Sequence, residues 1–177
     1  MEEAAEVEEA AEVQVKKGIS SKHVDKLLYY SSYDPLVLKY TSDSERYKDI
    51  KTFNSNKNNR YYYSLVGEVN DLAGVIWFIE KSIPNEKFNI EFDKERYGIS
   101  FALRIYEKYR GKGLSLKFMK DVFKKFTSTK KYKNIKDNKF WIKTSKDNIP
   151  AVKTYEKFGF IIVSKPDKNG KIIMVYR

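Results

Sequence analysis

Two short stretches of this chain carry residue types and spacings that could do chemistry. The first runs from Ile105 to Leu114, Ile-Tyr-Glu-Lys-Tyr-Arg-Gly-Lys-Gly-Leu. Gly111 and Gly113 let the backbone approach a ligand with no Cβ in the way. A helix starting just after them would aim its unpaired N–H groups, and the positive end of its dipole, at the same place. Such a turn suits phosphate or pyrophosphate. It is too short for a P-loop, and it lacks the third glycine and the distal acid of the dinucleotide fingerprint. By itself it reads equally as an anion cradle or as a plain strand–helix connection.

The second stretch is Asn148 to Phe160, Asn-Ile-Pro-Ala-Val-Lys-Thr-Tyr-Glu-Lys-Phe-Gly-Phe. On a helix, Asn148, Ala151 and Tyr155 fall on one face. Asn148 offers a donor and an acceptor. Ala151 leaves room for a ligand against that face, and Tyr155 projects a hydroxyl from it. A phenol of pKa about 10 keeps its proton at pH 7. Gly159 can take the left-handed conformation that stops a helix. Taken alone, the segment also reads as a cap, a pair of core contacts and a stop.

The elements that must position these residues follow from periodicity. Residues 20–30 suit a helix capped by Ser20 or Ser21, with Val24, Leu27 and Leu28 as its apolar face. Asp34-Pro35 opens another, and residues 54–60 read as a loop. Strands are expected over Tyr61–Val69, Leu72–Ile79 (with an Asn70-Asp71 turn between them) and Tyr97–Tyr106. Leu114, Phe118, Met119, Val122, Phe123 and Phe126 share one face of a helix after the glycine turn. A further strand over Phe140–Thr144, a short helix from Asp147 or Asn148 to Gly159, and strands over Phe160–Ser164 and Lys171–Tyr176 around an Asn169-Gly170 turn complete the order. Helices between strands make this a mixed α/β sheet.

The two stretches together resemble the GNAT superfamily of N-acetyltransferases: a basic Arg-Gly-x-Gly turn after a strand, then Asn-x-x-Ala-x-x-x-Tyr-x-x-x-Gly-Phe some 35 residues later. The resemblance covers about residues 60–177. It implies an α/β fold with a mixed, mostly antiparallel sheet, flanking helices and a splayed central strand pair. It implies that acetyl-CoA is the co-substrate, without a metal, and that its pyrophosphate lies on Arg110, Gly111, Lys112, Gly113, Leu114 and Ser115. Lys108 stands where the family often has Gln or Arg, and Glu107 replaces a common proline. Leu103, Arg104 and Ile105 match the positions whose backbone holds the pantetheine arm, with an N–H near Ile105 serving the oxyanion. Tyr155 matches the general acid for the departing thiolate, and Asn148 and Ala151 line the same site. The implied reaction is direct attack of a primary amine on the thioester in a ternary complex. Two other readings stay open: an inactive module of the same fold that binds nucleic acid or ribosome, and a transferase of longer acyl groups.

The general base is not assigned; Glu68, Glu80, Glu95, Tyr97 and Ser100 lie in or near the strands that would face the acceptor. His23, the sole histidine, reads as a surface residue. With no cysteine, the chain has no disulfide, thiolate metal site or thiol nucleophile, and an intracellular, cytoplasmic setting is expected. No apolar run is long enough to span a bilayer, and residues 1–17 read as an acidic, low-complexity tail on a domain covering 18–177. Residues 16–177 hold 35 basic and 18 acidic side chains, a formal charge of +17. That charge suits an acidic partner such as tRNA or ribosome and disfavours a free polyamine as acceptor; it also fits a merely lysine-rich, solvated surface. Lys117 and Lys120 flank the cradle, while Lys124, Lys125, Lys130, Lys131, Lys133, Lys136 and Lys139 exceed what CoA requires. The acceptor is an amine of unspecified class, and a homodimer is compatible with the sequence.

Overall fold

The computed structural model describes residues 12–177. One seven-stranded sheet has the order β1-β2-β3-β4-β5-β7-β6. Its strands are β1 (Gln14–Lys17), β2 (Arg60–Val66), β3 (Leu72–Glu80), β4 (Ile99–Ile105), β5 (Phe140–Ser145), β6 (Phe160–Ile162) and β7 (Lys171–Tyr176). Every neighbouring pair is antiparallel except β4 and β5, which run parallel. The expected mixed, mostly antiparallel α/β sheet is therefore present.

Helices cover both faces. α5 (Leu114–Thr127) and α7 (Ile149–Phe158) pack on one, where Phe78, Phe101, Phe118, Phe123, Phe126 and Tyr155 are buried together. Phe78 stacks on Phe126 at 4.1 Å between ring centres. The opposite face carries α1 (Ser21–Tyr33), α2 (Pro35–Tyr40), α3 (Asp43–Arg46) and α4 (Ile50–Lys57) over Tyr62, Val75, Trp77 and Tyr106. β3 is apolar almost throughout because it is buried on both faces. A short α6 (Lys130–Lys133) begins the basic segment.

Several local expectations are corrected. Residues 14–17, grouped by composition with the acidic tail, form the edge strand β1 along β2; residues 1–11 lie outside the described residues. The expected 54–60 loop is largely the last half of α4, which Asp49 and Thr52 start with a reciprocal capping box. β2 stops at Val66, and the turn after it spans Gly67–Asp71, with Val69 and Asn70 at positive φ. His23 is buried rather than exposed, its Nε2 3.0 Å from the Asn70 carbonyl oxygen, because the first turn of α1 packs onto that turn. β6 ends two residues early, at Ile162.

One feature of the sheet positions everything below. β4 and β5 pair only at Ile99–Phe140 and Ser100–Trp141, then diverge. Gly98 pins the narrow end: its N–H donates to the Asp137 carbonyl at 2.9 Å, and a Cβ there would collide with that same oxygen. We expect Gly98→Ala to destabilise the fold by about 1–3 kcal/mol through overpacking. Urea denaturation measures this, and an unchanged midpoint would show that the narrow end tolerates separation.

Candidate active site

In a strand, successive residues direct their backbone polar groups to opposite edges. The Ile99 N–H points to the β5 side, donating to Lys139, and the Tyr106 N–H points to β3, donating to Ala73. Leu103 and Ile105 therefore present their N–H and C=O groups to the gap that opens beyond Ser100. The Arg104 backbone faces Val75 of β3 instead. Of the three positions expected to expose backbone to a ligand, Leu103 and Ile105 do so and Arg104 does not.

Arg104 enters the site through its side chain. Its guanidinium grips Asp43 with two bonds, Nε–Oδ2 at 2.7 Å and Nη2–Oδ1 at 3.0 Å, and lies over the Trp77 ring. Its Nη1 donates to the Leu103 carbonyl at 2.9 Å, at the open edge. Arg46 pairs with the same Asp43 carboxylate. Burial alone would raise the Asp43 pKa; the two arginines outweigh it and hold the carboxyl below its ordinary range.

The glycine turn leaves the wide end of the gap. Gly111 and Gly113 have φ of +74° and +68°, and a Cβ on either would meet no protein atom within 4 Å. They are needed for the left-handed backbone, and they face open space. Gly113 is the N-cap of α5 and supplies no side-chain acceptor, so the first-turn N–H groups at Leu114 and Ser115 are left for another partner. This arrangement fits a bound pyrophosphate.

Two buried anchors set the turn. Asp34 is wholly buried: it caps α2 through the Leu36 and Val37 N–H groups, accepts from the Glu107 N–H, and takes Arg110 Nη2 on both oxygens at 2.7 Å. Tyr109 is buried against Gly67, its hydroxyl donating to Asp71 at 3.4 Å. Arg110 thus ties the turn to α2 through its side chain. Lys108 pairs with Asp71 at 3.7 Å, and Lys112 is exposed above the Tyr109 ring.

α7 starts at the same wide end, directly after β5. Asn148 occupies its N-cap position without a side-chain capping bond, which leaves its amide available. Ala151 is partly buried against the core, and Tyr155 packs edge-on to Phe101 at 5.7 Å. Burial pushes the Tyr155 hydroxyl up to about 12, with Arg104 acting in the opposite sense.

The five base candidates do not converge here. Glu80 is held by Lys131 at 2.7 Å and by the Tyr61 hydroxyl, and Glu95 by Lys94. Glu68 lies in the Gly67–Asp71 turn. Tyr97 is buried at the narrow end, and Ser100 belongs to the last β4–β5 pair. Asp43 was not legible beforehand, since no local motif links it to an arginine 61 residues away. Asp34 was legible only as the start of α2. Among the described residues no cluster of metal-ligating side chains occurs, and no helix is long and apolar enough to cross a membrane.

Comparison with known proteins agrees with this geometry. The sequence pattern of the acetyltransferase (GNAT) family matches residues 27–160. A spermine/spermidine N(1)-acetyltransferase of Bacillus subtilis (strain 168) is 34% identical over 71 residues, which is 40% of this chain and 43% of that relative's length. Among solved structures, a domain from Methanocaldococcus jannaschii superposes with a TM-score of 0.65 at 17% identity, covering 93% of this chain and 97% of the other. The spermidine N-acetyltransferase from Vibrio cholerae, solved in complex with CoA and spermine, gives 0.65 at 12% identity over 92% of each chain. At such identities the structures speak for the fold alone.

The depressed Asp43 carboxyl makes stability pH-dependent with a definite sign. Its contribution is complete above the unfolded aspartate value of about 4 and is lost as pH falls through the lower folded value. Asp43→Asn, which leaves two arginines without their counter-charge, is expected to cost about 3 kcal/mol at pH 7 and to reduce the acid-side loss. Denaturant titrations at pH 7 and pH 3 check both; an Asn variant as stable as the parent at pH 7 would remove Asp43 as an anchor.

Proposed function

The chain belongs to the acetyltransferase (GNAT) family, and on that premise we propose that it transfers an acetyl group from acetyl-CoA directly to a primary amine in a ternary complex. The observation that carries this reading is the gap between β4 and β5. Free backbone groups line it, and the N-terminal ends of α5 and α7 both lie at its wide end.

When bound, acetyl-CoA supplies the activated acetyl thioester. The Gly111–Ser115 backbone would hold its pyrophosphate, with Lys108 and Lys112 adding positive charge. Leu103 and Ile105 would bond the amides and the acyl carbonyl of the extended arm as a strand would, with an Ile105 N–H serving the developing negative oxygen. Asn148 and Ala151 would bound the other side. Tyr155 keeps its proton throughout the physiological range, because burial raises its pKa. It is suited to give that proton to sulfur as the amine displaces the thiol. The chain contains no cysteine, which supports direct attack over a thiol-bound acyl enzyme. The acceptor amine must be neutral, and with none of the five candidate bases converging on the gap its proton would pass to solvent.

Acetyl-CoA at millimolar concentration is expected to raise the melting temperature, as any ligand selective for the folded state does. Gly111→Val, forced into φ near +74°, should lose that shift; an unchanged shift would show that the turn is not the cradle. Tyr155→Phe is expected to lower kcat roughly 100-fold or more, with the KM for acetyl-CoA within a few-fold of the parent. Equal turnover would remove Tyr155 from the acid role.

A further inference from the structure

With acetyl-CoA held at the N-terminal ends of α5 and α7 as proposed above, an acceptor would enter from the opposite sheet face, where cations ring the wide end of the gap. Arg104 stands there on β4, and Arg46 reaches the same carboxylate from α3. Lys171 opens β7, opposite Ser145 at the end of β5. Strand alternation sends Lys171 to this face with Ile173 and Val175, since Ile172 and Met174 pack on the α5–α7 side. The end of α2 lies above it: Lys171 Nζ donates to the Tyr40 carbonyl at 2.9 Å, and the Tyr40 hydroxyl donates to the Asp147 carbonyl at 3.4 Å.

Three of the acids nearby are already engaged in ion pairs, while Asp147, whose backbone carbonyl accepts from Tyr40, is in none among the described residues. Asp43 is shared by Arg46 and Arg104, and Lys143 holds both Glu86 at 2.6 Å and Asp167 at 2.8 Å. Among the described residues no carboxylate lies within ion-pair distance of Lys171. Burial holds its ammonium below the ordinary lysine range; Arg104 and Lys143 act in the same direction, and Asp167 acts against them. A cation kept half-buried without a counter-ion is costly, and an incoming anion relieves that cost. A polycation would instead meet Lys171 and Arg104 as like charges.

Resting on the acetyl-transfer reading above, we infer that the acceptor is a primary amine bearing a carboxylate a few atoms away, an amino acid or a derivative of one, with the carboxylate seated on Lys171 and the outer edge of the Arg104–Arg46 pair. The same cations favour the neutral form of a nearby amine, which is the form that attacks. The inference sets this chain apart in substrate from the spermidine and spermine acetyltransferases it is similar to.

The test compares kcat/KM for amino acids, their carboxamides, an aminoalkyl phosphate and spermidine. The best carboxylate acceptor is expected to exceed its own carboxamide at least tenfold. That ratio should fall at least tenfold in Lys171→Met and be retained in Lys171→Arg. Thermal stabilisation by acetyl-CoA shows whether each variant still folds and loads. A preference for spermidine, for carboxamides or for the phosphate overturns the inference, as does a carboxylate preference that survives Lys171→Met. If no acceptor turns over, the CoA-loaded protein should still be stabilised by the carboxylate-bearing amines more than by their amides, and the absence of that difference overturns it too. A chain that acetyl-CoA fails to stabilise at all sinks the acetyl-transfer reading itself, and the acceptor inference with it.

Discussion

The divergence of β4 from β5 is the constraint on which the rest of this structure depends. Two residue pairs hold the strands together, and beyond Ser100 the backbone groups of Leu103 and Ile105 have no strand partner. Leaving such groups unpaired in a sheet interior costs about 1–3 kcal/mol each unless something else bonds them. In the chain as described, Arg104 Nη1 bonds the Leu103 carbonyl. A ligand laid along the gap would supply the bonds a strand would have made.

What surrounds the gap reads as a set of ties across it. Asp34 joins α2 to the glycine turn through Arg110, and Asp43 joins α3 to β4 through Arg104. Both carboxylates are buried, and a buried ion pair of this sort is weak evidence for added stability. Its better-attested value is in fixing geometry. Here it fixes the turn and the β4 edge relative to α2 and α3 on the face opposite α5 and α7. On the other face, the stacked aromatic core of Phe78, Phe126 and Phe123 seats α5, and Phe101 seats Tyr155. Tyr155 and α5 are thus held from one side of the sheet, and the glycine turn is tied through Arg110 to α2 on the other.

The parts of the site that were legible in the sequence are those whose chemistry is local. Gly111 and Gly113 announce a left-handed turn because few other residues tolerate it, and the structure has both at positive φ. Asn148, Ala151 and Tyr155 announce a helix face because their spacing matches its period. Long apolar periodicity gave α5 and β3 for the same reason. The failures share a cause as well. The side chains of Arg110 and Arg104 were not legible as ties between elements, since their partners lie 76 and 61 residues away. β1 was hidden by an acidic composition, and α4 by a polar run that only its capping box betrays.

The sequence by itself determined the order of strands β2 to β7, the glycine turn, the helix face bearing Tyr155 and a family resemblance, because each of these is encoded within a few turns of chain. It also carried a surplus of positive charge, without saying where that charge would act. Only the tertiary structure decided which charges stay open. Packing brings Asp34 to Arg110 and Asp43 to Arg104 and Arg46, and among the described residues it leaves the half-buried Lys171 ammonium outside any ion pair. Pairing of this kind depends on distances between residues far apart in sequence, and those distances are set only when the sheet and its helices close around the gap.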